Sequence, residues 1–307
     1  MNAVADVRLF PKCEYEQLET RLDLEYGVYW AILKPRSQPT FNPQVLLEVR
    51  NFIDDLVSSK GTVFDRGHEH QIRYVILASA APGVFSLGGD LALFRSAIMH
   101  GDRVQLQRYA ELCINDLLPW NRNFDLPITT VSLVQGDALG GGFEGALASS
   151  VLIAEESARM GFPEILFNLF PGMGAYSFLS RKVGRRVTDE LITSGNTYSA
   201  RQLFEMGVVD VLTADGTGEA AVYSFVRKHA RNGNGRRAIE QVRRDFDPIT
   251  REELSRIADI WVDAAMRLSE RDLRMMERLV RAQQRQLGEG TGAAAQVVRL
   301  EAAGGSD

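Results

Sequence analysis

The chain has 307 residues, 45% of them hydrophobic and 24% charged, as is typical of a soluble globular protein able to bury a sizeable core. Its 35 basic and 40 acidic side chains give a net charge of -5, which argues against nucleic acid or a membrane surface as partner. Only Cys13 and Cys113 are present, which indicates reduced thiols in a cytoplasmic protein. The sequence shows no apolar leader and no run of about 18 apolar residues, so we expect neither secretion nor a membrane span.

The first half of the chain alternates short β-rich runs with helical patterns. YGVYWAILKP predicts a strand that a proline ends, and NPQVLLEVRNFIDDLVSS predicts a helix from its Asn-Pro start and apolar spacing. RYVILAS and ITTVSLVQ predict two more buried strands, each followed by a glycine-bearing loop and a helix. This order predicts an α/β fold with parallel strands.

The second half becomes helical towards its end. The capping box SARQ opens a helix that Gly207 closes before the short strand VVDVL, and RNGNGRR is interpreted as a linker. A second capping box at Thr250 opens one apolar helix, and another helix follows from Asp272. By spacing alone, Trp261 in the first of these helices and Leu279 in the second are core residues.

The stretch GDALGGGFEGAL, residues 136–147, contains the spacing Gly140-x-Gly142-x-x-Gly145 of a dinucleotide-binding loop. Two observations argue against that interpretation. Four residues separate the glycines from the preceding strand, and Glu144 would compete with a pyrophosphate for the positive end of the helix. We therefore expect no nicotinamide cofactor. The glycines can instead present backbone N–H groups to a reacting oxygen, with the carboxylate of Glu144 beside them.

A second glycine pair follows another predicted strand, where Gly88-Gly89-Asp90 begins a helix. A tight turn is the ordinary interpretation of either glycine pair alone, but two such helix starts can direct two N–H groups at one carbonyl oxygen. Glu164 lies in RMGFPEILFNLFPGMG, which is too apolar for an ordinary surface carboxylate, so burial should raise its pKa. Its spacing also allows a carboxylate that only stabilises a helix start. With Glu144, the set describes acid–base chemistry next to a thioester carbonyl.

Two other candidate sites are weak. His68-Glu69-His70 lies in the charged loop DRGHEHQIR and lacks the cysteines or the helical spacing of a metal site, so we expect no metal. Cys113 lies in the apolar-periodic segment YAELCINDLL with no histidine nearby. We therefore do not expect it to be a nucleophile.

Three motifs resemble the crotonase (enoyl-CoA hydratase/isomerase) superfamily in order and spacing: FSLGGDL, VQGDALGGGFEGAL and FPEILFNLFPGMGAYSFL. The resemblance covers roughly residues 20–285. Within the superfamily, LGGDLALF, PGMGAYSF and IADIWVDAAMRLSERDLRMMERLVRAQ are most similar to the diffusible signal factor (DSF) synthases.

The resemblance implies an α/β fold, a spiral of ββα repeats with a helical C-terminal region that forms trimers or dimers of trimers. On this basis residues 1–210 are the spiral core and residues 211–287 the helical C-terminal region. Residues 288–307 are rich in glycine and alanine, and we expect a disordered tail there.

The resemblance also implies the roles of individual residues. The amides of Gly89 and Gly141 would form an oxyanion hole, Glu144 and Glu164 would be the catalytic pair, and Gly172 matches the glycine of a loop beside the active site. The positions that match an acyl pocket are Leu139, Gly140, Met173, Trp261 and Leu279. For Trp261 and Leu279 this replaces the interpretation as core residues.

The implied reaction is dehydration of a medium-chain 3-hydroxyacyl thioester on acyl carrier protein, followed by hydrolysis to a free cis-2-unsaturated acid. No cofactor is implied beyond the carrier of the thioester, acyl carrier protein or CoA. Asp90 is followed by Leu91, Ala92 and Leu93, where many CoA-using relatives have a basic residue, and this favours the carrier protein. The implied partners are acyl carrier protein, further copies of the chain and, in this subfamily, a sensor kinase.

The Arg-rich segments 181–186 and 236–244 could dock an acidic carrier protein, although a solvated helix face is the more ordinary interpretation of each. Two other functions remain open. One is a conventional enoyl-CoA hydratase of fatty-acid degradation. The other is a binding protein of the same fold without catalysis, which the presence of both glutamates and both glycine pairs disfavours.

Overall fold

A computed structural model describes residues 14–65 and 67–281. Its strands are β1 (Leu18–Asp23), β2 (Val28–Leu33), β3 (Thr62–Asp65), β4 (His68–Gln71), β5 (Tyr74–Ser79), β6 (Val84–Ser86), β7 (Thr129–Val134), β8 (Asp137–Leu139), β9 (Val151–Glu155), β10 (Arg159–Gly161), β11 (Thr197–Ser199) and β12 (Val211–Thr213). Its helices are α1 (Pro43–Ser58), α2 (Leu91–Met99), α3 (Arg103–Asn121), α4 (Gly141–Leu147), α5 (Ala175–Thr193), α6 (Ala200–Glu205), α7 (Gly218–Ala230), α8 (Gly233–Phe246), α9 (Arg251–Ala265) and α10 (270–281). Short 3-10 turns occur at Asn123–Asp125 and Pro163–Phe167.

The strands form two sheets and a hairpin. The larger sheet has the order β1-β2-β5-β7-β9-β12, the smaller one has the order β11-β10-β8-β6, and β3 pairs with β4. Three successive units, β5-β6-α2, β7-β8-α4 and β9-β10-α5, each place the first strand in the larger sheet and the second in the smaller one. Neighbouring units pair in parallel in both sheets. This is the predicted α/β spiral of ββα repeats, and helices α7 to α10 form the predicted helical C-terminal region.

The larger sheet is covered on both faces. Strand β7 is buried at every position and β5 at all but its last, as expected for parallel strands between two packed layers. The main apolar core lies between the two sheets and includes α1, α3 and α4. A smaller core, with Val222 and Val226 of α7, covers the opposite face. Within the described residues, no helix is both long and apolar enough to cross a membrane.

The predicted strands and helices of the first half are confirmed, and so is the capping box at Ser199. At Thr250 the side chain caps α9 by accepting from the N–H of Glu253, but the carboxyl of Glu253 bonds to Ser177 and Arg181, so only half of the predicted box is formed. The predicted linker RNGNGRR is wrong, because α8 begins inside it at Gly233. Neither Gly233 nor Gly235 takes a positive φ, so both continue the helix. The predicted disordered tail, residues 288–307, and Cys13 lie outside the described residues.

Candidate active site

Three neighbouring strands of the smaller sheet end at the candidate site. Strands β6, β8 and β10 run parallel, so their carboxyl ends meet at one edge of the sheet, where α/β proteins place their ligands. Gly88 and Gly89 follow β6, Gly140 and Gly141 follow β8, and Glu164 follows β10. One sheet edge therefore brings together groups that are far apart in the sequence.

The turn between β8 and α4 depends on glycine. Gly140 caps α4 with φ 52°, a conformation that side chains with a Cβ rarely adopt, and its N–H donates to the carbonyl oxygen of Gly161 at 2.9 Å. A methyl group at Gly140 would overlap the carboxyl of Glu164, and one at Gly142 would overlap the carbonyl of Ser86. Close packing of α4 against β6 and β10 fixes Glu144 one turn into the helix.

The backbone N–H groups of Gly89 and Gly141 lie next to each other. A Cβ built on Gly141 would stand 3.3 Å from the backbone nitrogen of Gly89. Gly141 is the first residue of α4, where a helix provides no acceptor for its N–H groups. The described part of the chain provides no acceptor for the N–H of Gly89 either. The arrangement suits two donors that share one substrate oxygen.

Glu144 is 2% exposed, and the loop before α5 holds its carboxyl. Its Oε1 accepts hydrogen bonds from the N–H groups of Met173 at 2.8 Å and Ala175 at 3.0 Å. Burial raises the pKa of Glu144 to about 7, although these N–H donors favour the ionised form. The carboxyl can therefore gain or lose a proton near neutral pH.

Glu164 is half-buried as a residue, but its Oε2 is shielded from solvent and has no hydrogen-bond partner among the described residues. Burial, and then the nearby charge of Glu144, raises the pKa of Glu164 to about 8. The two carboxyls interact, so near neutral pH they hold about one proton between them. Such a pair contains one acid and one base.

An apolar cavity of about 90 Å³ opens beside these groups. Among the predicted site residues, the cavity is lined by Gly89, Gly140, Gly141, Glu144, Glu164, Gly172, Met173, Trp261 and Leu279. Leu139 does not line it and lies just outside, on β8, opposite Gly161 of β10. The carboxyl pair and the two N–H donors therefore stand at a space suited to an apolar chain.

The C-terminal helices form one wall of the cavity. A methyl group at Gly172 would overlap the indole ring of Trp261, so glycine there lets α9 approach the loop. Trp261 is 3% exposed and packs edge-on against Phe94, with ring centroids 5.1 Å apart. Leu279 of α10 is partly buried against the core. Trp261 therefore packs in the core and also lines the cavity.

Sequence reasoning missed the part of the cavity that one face of α3 lines. Tyr109, Cys113, Asp116 and Trp120, three or four residues apart, all border the space. The visible signal was the aspartate inside an otherwise apolar-periodic segment, YAELCINDLLPW. Burial raises the pKa of Cys113 well above its usual value, so its thiol stays protonated, unlike a nucleophilic thiolate.

The His68-Glu69-His70 segment does not line this cavity. It forms β4, an exposed strand paired with β3. Among residues 14–65 and 67–281, no group of three or more histidine, cysteine, aspartate or glutamate side chains could hold a metal ion.

The fold and the site together define a crotonase-type protein, and sequence comparison agrees. A family model described as enoyl-CoA hydratase/isomerase matches residues 49–281. The chain belongs to the enoyl-CoA hydratase/isomerase family. Enzymes of this family act on CoA thioesters without a further cofactor.

Individual relatives are more distant. The mitochondrial methylglutaconyl-CoA hydratase of Rattus norvegicus is 33% identical over 155 residues, which make up 50% of this chain and 47% of that protein. The fatty acid oxidation complex subunit alpha of Pseudomonas syringae pv. tomato is 32% identical over 203 residues, 64% of this chain and 25% of that protein. The chain thus spans less than half the length of these two curated relatives.

The fold is also that of solved structures. The crystal structure of enoyl-CoA hydratase from Bacillus halodurans superposes with a TM-score of 0.71 at 17% identity, and the match covers 86% of this chain and 100% of that chain. At this identity the comparison establishes the architecture alone.

Proposed function

We propose that the chain is an enoyl-CoA hydratase-like lyase, a DSF synthase that converts medium-chain 3-hydroxyacyl-ACP to a free cis-2-unsaturated fatty acid. The released acid would serve as a diffusible quorum-sensing signal. The observation that carries the proposal is the pair of buried carboxyls with raised pKa values, beside two adjacent N–H donors, in the wall of an apolar cavity. In this proposal Glu144 and Glu164 are the catalytic residues.

The proposed dehydration follows from that geometry. The thioester carbonyl oxygen accepts hydrogen bonds from the N–H groups of Gly89 and Gly141, which lowers the energy of the enolate. One carboxylate of the pair takes the C2 proton, and the other, protonated, donates its proton to the departing 3-hydroxyl, which leaves as water. The two raised pKa values keep both protonation states available near neutral pH.

The proposed thioester hydrolysis uses the same groups. A carboxylate of the pair takes a proton from a water molecule, whose oxygen attacks the polarised carbonyl carbon. The two N–H donors stabilise the tetrahedral oxyanion, and its collapse expels the carrier thiolate, which is then protonated. Water is consumed, and the free acid and the carrier thiol are released.

Acyl carrier protein is the proposed carrier of the substrate. After Asp90, the first three residues of α2 are Leu91, Ala92 and Leu93, and Leu91 lines the cavity. These three residues offer no cation to the nucleotide phosphates of CoA. Exposed Arg185 and the Arg-rich face of α8 offer positive charge to an acidic carrier. Arg181 is already bound to Glu253, with a shortest contact of 2.8 Å. The proposal also includes a sensor kinase as a partner of the synthase, and a binding measurement with the purified kinase domain would test it.

Product analysis tests the function. Purified protein incubated with medium-chain 3-hydroxyacyl-ACP should release a free cis-2-unsaturated acid, detected by mass spectrometry, and Glu144→Gln should release none. The same chain on CoA should be a poorer substrate, with a lower kcat/KM.

A conventional enoyl-CoA hydratase is the alternative, because curated relatives are named hydratases. Formation of only a trans-2-enoyl thioester, with no free acid, would support it and contradict the synthase. Failure of the wild type to form either the free acid or the trans thioester would instead support a non-catalytic binding protein. Unchanged product formation in both Glu144→Gln and Glu164→Gln would contradict the assignment of these two residues as the catalytic pair.

We also propose that the chain forms a homo-oligomer, a trimer or a hexamer, through its helical C-terminal region, residues 211–287. Ile239, Val242 and Phe246 form an apolar stripe on α8, and Phe246 is 88% exposed. Exposure of this apolar stripe to water is unfavourable in a monomer, and burial against another copy of the chain would remove that penalty.

Light scattering should give a mass of three or six chains for the wild type. The variant Val242→Glu/Phe246→Glu should shift the mass towards the monomer, whereas Lys228→Glu on α7 should not. A monomeric wild type at micromolar concentration would contradict the proposal.

A further inference from the structure

The far end of the acyl cavity contains an acid that the proposed reaction does not use. Asp116 of α3 is 5% exposed and borders the cavity with the apolar residues Leu46, Val49, Leu117 and Trp120. Both of its carboxyl oxygens are inaccessible to solvent, and neither has a hydrogen-bond partner among the described residues. A buried carboxyl without a hydrogen bond lowers the free energy of unfolding. A ligand group that bonds to Asp116 would offset this desolvation penalty.

The neighbouring charges do not satisfy Asp116. The nearest cation, Arg50 of α1, bonds to the carboxyl of Asp54 and donates to the carbonyl oxygen of Asn115 at 2.7 Å. Burial raises the pKa of Asp116 well above its usual value, and the charge of Asp54 adds to the effect while Arg50 opposes it. Burial therefore favours the protonated acid, which has one O–H donor and one carbonyl acceptor.

Asp116 lies on the same cavity-lining face of α3 as Tyr109. The hydroxyl of Tyr109 would be 3.1 Å from a Cβ on Gly89, so Tyr109 marks the oxyanion end of α3. Asp116 is seven residues further along α3, about 10 Å at 1.5 Å per residue. Cys113 lies between the ends, and the charges of both Glu144 and Asp116 raise its pKa. The distance suits a medium-length chain that reaches from the thioester to Asp116.

We propose that this cavity selects acyl thioesters that carry a hydroxyl group near the far end of the chain, which exchanges hydrogen bonds with Asp116. The inference rests on the proposed function, because it concerns the substrate of the same site. A hydroxyl both donates and accepts, so it complements a neutral carboxyl. Bound water is a poorer partner, because it needs two to four polar contacts and the surrounding wall is apolar.

The test compares two series of 3-hydroxyacyl-ACP substrates of equal length, one plain and one with a second hydroxyl at the last or next-to-last carbon. For the wild type, kcat/KM should be higher for the dihydroxy series by about tenfold or more, because a plain chain leaves the buried acid unpaired. Asp116→Leu should reverse this preference. Asp116→Asn, which keeps a donor and an acceptor, should retain it.

A binding measurement separates this inference from the proposed function. Calorimetric titration with free fatty acids that do or do not carry the distal hydroxyl should show the same order of affinity in the wild type and its reversal in Asp116→Leu. Discrimination in binding without turnover would contradict the synthase and support the role of Asp116. Turnover of both series with equal kcat/KM in the wild type and in Asp116→Leu would support the synthase and overturn the selection of a distal hydroxyl. Circular dichroism of each variant verifies folding.

Discussion

Glu164→Gln should lower kcat for release of the unsaturated acid by about 10²–10⁴-fold, with little change in KM. The amide has nearly the shape of the carboxyl but cannot transfer the proton, and Oε2 of Glu164 has no hydrogen-bond partner among the described residues. Steady-state kinetics on 3-hydroxyacyl-ACP measure the effect. Glu205→Gln, a change of the same chemistry at an exposed position of α6, is the control and should behave as the wild type.

The pH dependence of stability in the same variant tests whether the carboxyl of Glu164 is desolvated. Folding raises the pKa of Glu164 from 4.5 to about 8, so this group favours the folded state most below pH 4.5 and loses that contribution as the pH rises through 8. Glu164→Gln removes this group's contribution to the pH dependence of stability. Each unit of pKa shift corresponds to about 1.4 kcal/mol in the free energy of unfolding, before any relaxation of the structure. Between pH 5 and 9 the free energy of unfolding should therefore fall more in the wild type than in the variant. The free energy of unfolding is measured by urea denaturation at each pH. An equal change with pH in the wild type and in Glu164→Gln would show that Glu164 is not desolvated.

Gly141→Ala should reduce kcat by about 10²–10³-fold, comparable to the loss of an oxyanion donor. The added methyl would stand 3.3 Å from the nitrogen of Gly89, in the gap where the substrate oxygen is expected. Gly141 does not take a positive φ, so alanine fits the backbone at the start of α4. The change should therefore block the site without unfolding the chain.

Gly235→Ala is the matched control, because this glycine also lies in a helix and a methyl there would meet no atom within 4 Å. Its kcat should equal that of the wild type. If Gly141→Ala kept full activity, with unfolding midpoints unchanged in both variants, the two glycine amides could not form the oxyanion hole.

Much of the fold follows from local sequence signals. The runs that became β2, β5 and β7 are long enough, and buried enough, for composition alone to identify them. The strands of the smaller sheet could not be found in this way. Strands β6, β8 and β10 have three residues each, too few for alternation with a period of two residues to be recognised, and pairing with their neighbours defines them. The prediction of a linker before α8 was wrong because Gly233 and Gly235 do not take a positive φ and therefore continue the helix.

The site, like the fold, contains residues that local sequence identifies and others whose environment depends on the tertiary structure. Glu144 and the glycines around it form one local motif, and the apolar surroundings of Glu164 marked it as a candidate proton-transfer residue, so local sequence suggested their chemistry. The ordered resemblance added Trp261 and Leu279 as pocket residues. For Asp116 the sequence shows an aspartate inside an apolar-periodic segment, but not the environment of its carboxyl, because that environment includes α1, which packs across α3 from a distant part of the sequence. The unpaired state of a buried carboxyl is a property of the tertiary structure, with no counterpart in spacing.

The wall that Trp261 and Leu279 add to the cavity has a consequence for the order in which the protein is made. Ribosomes synthesise the chain from its N-terminus, so Glu144 and Glu164 emerge more than a hundred residues before Leu279. Until α9 has packed Trp261 against Gly172 and α10 has brought Leu279 to the cavity, the cavity lacks this part of its wall. Both glutamates are thus synthesised before the wall beside them, and a chain that stops after α7 contains the two glutamates but lacks Trp261 and Leu279.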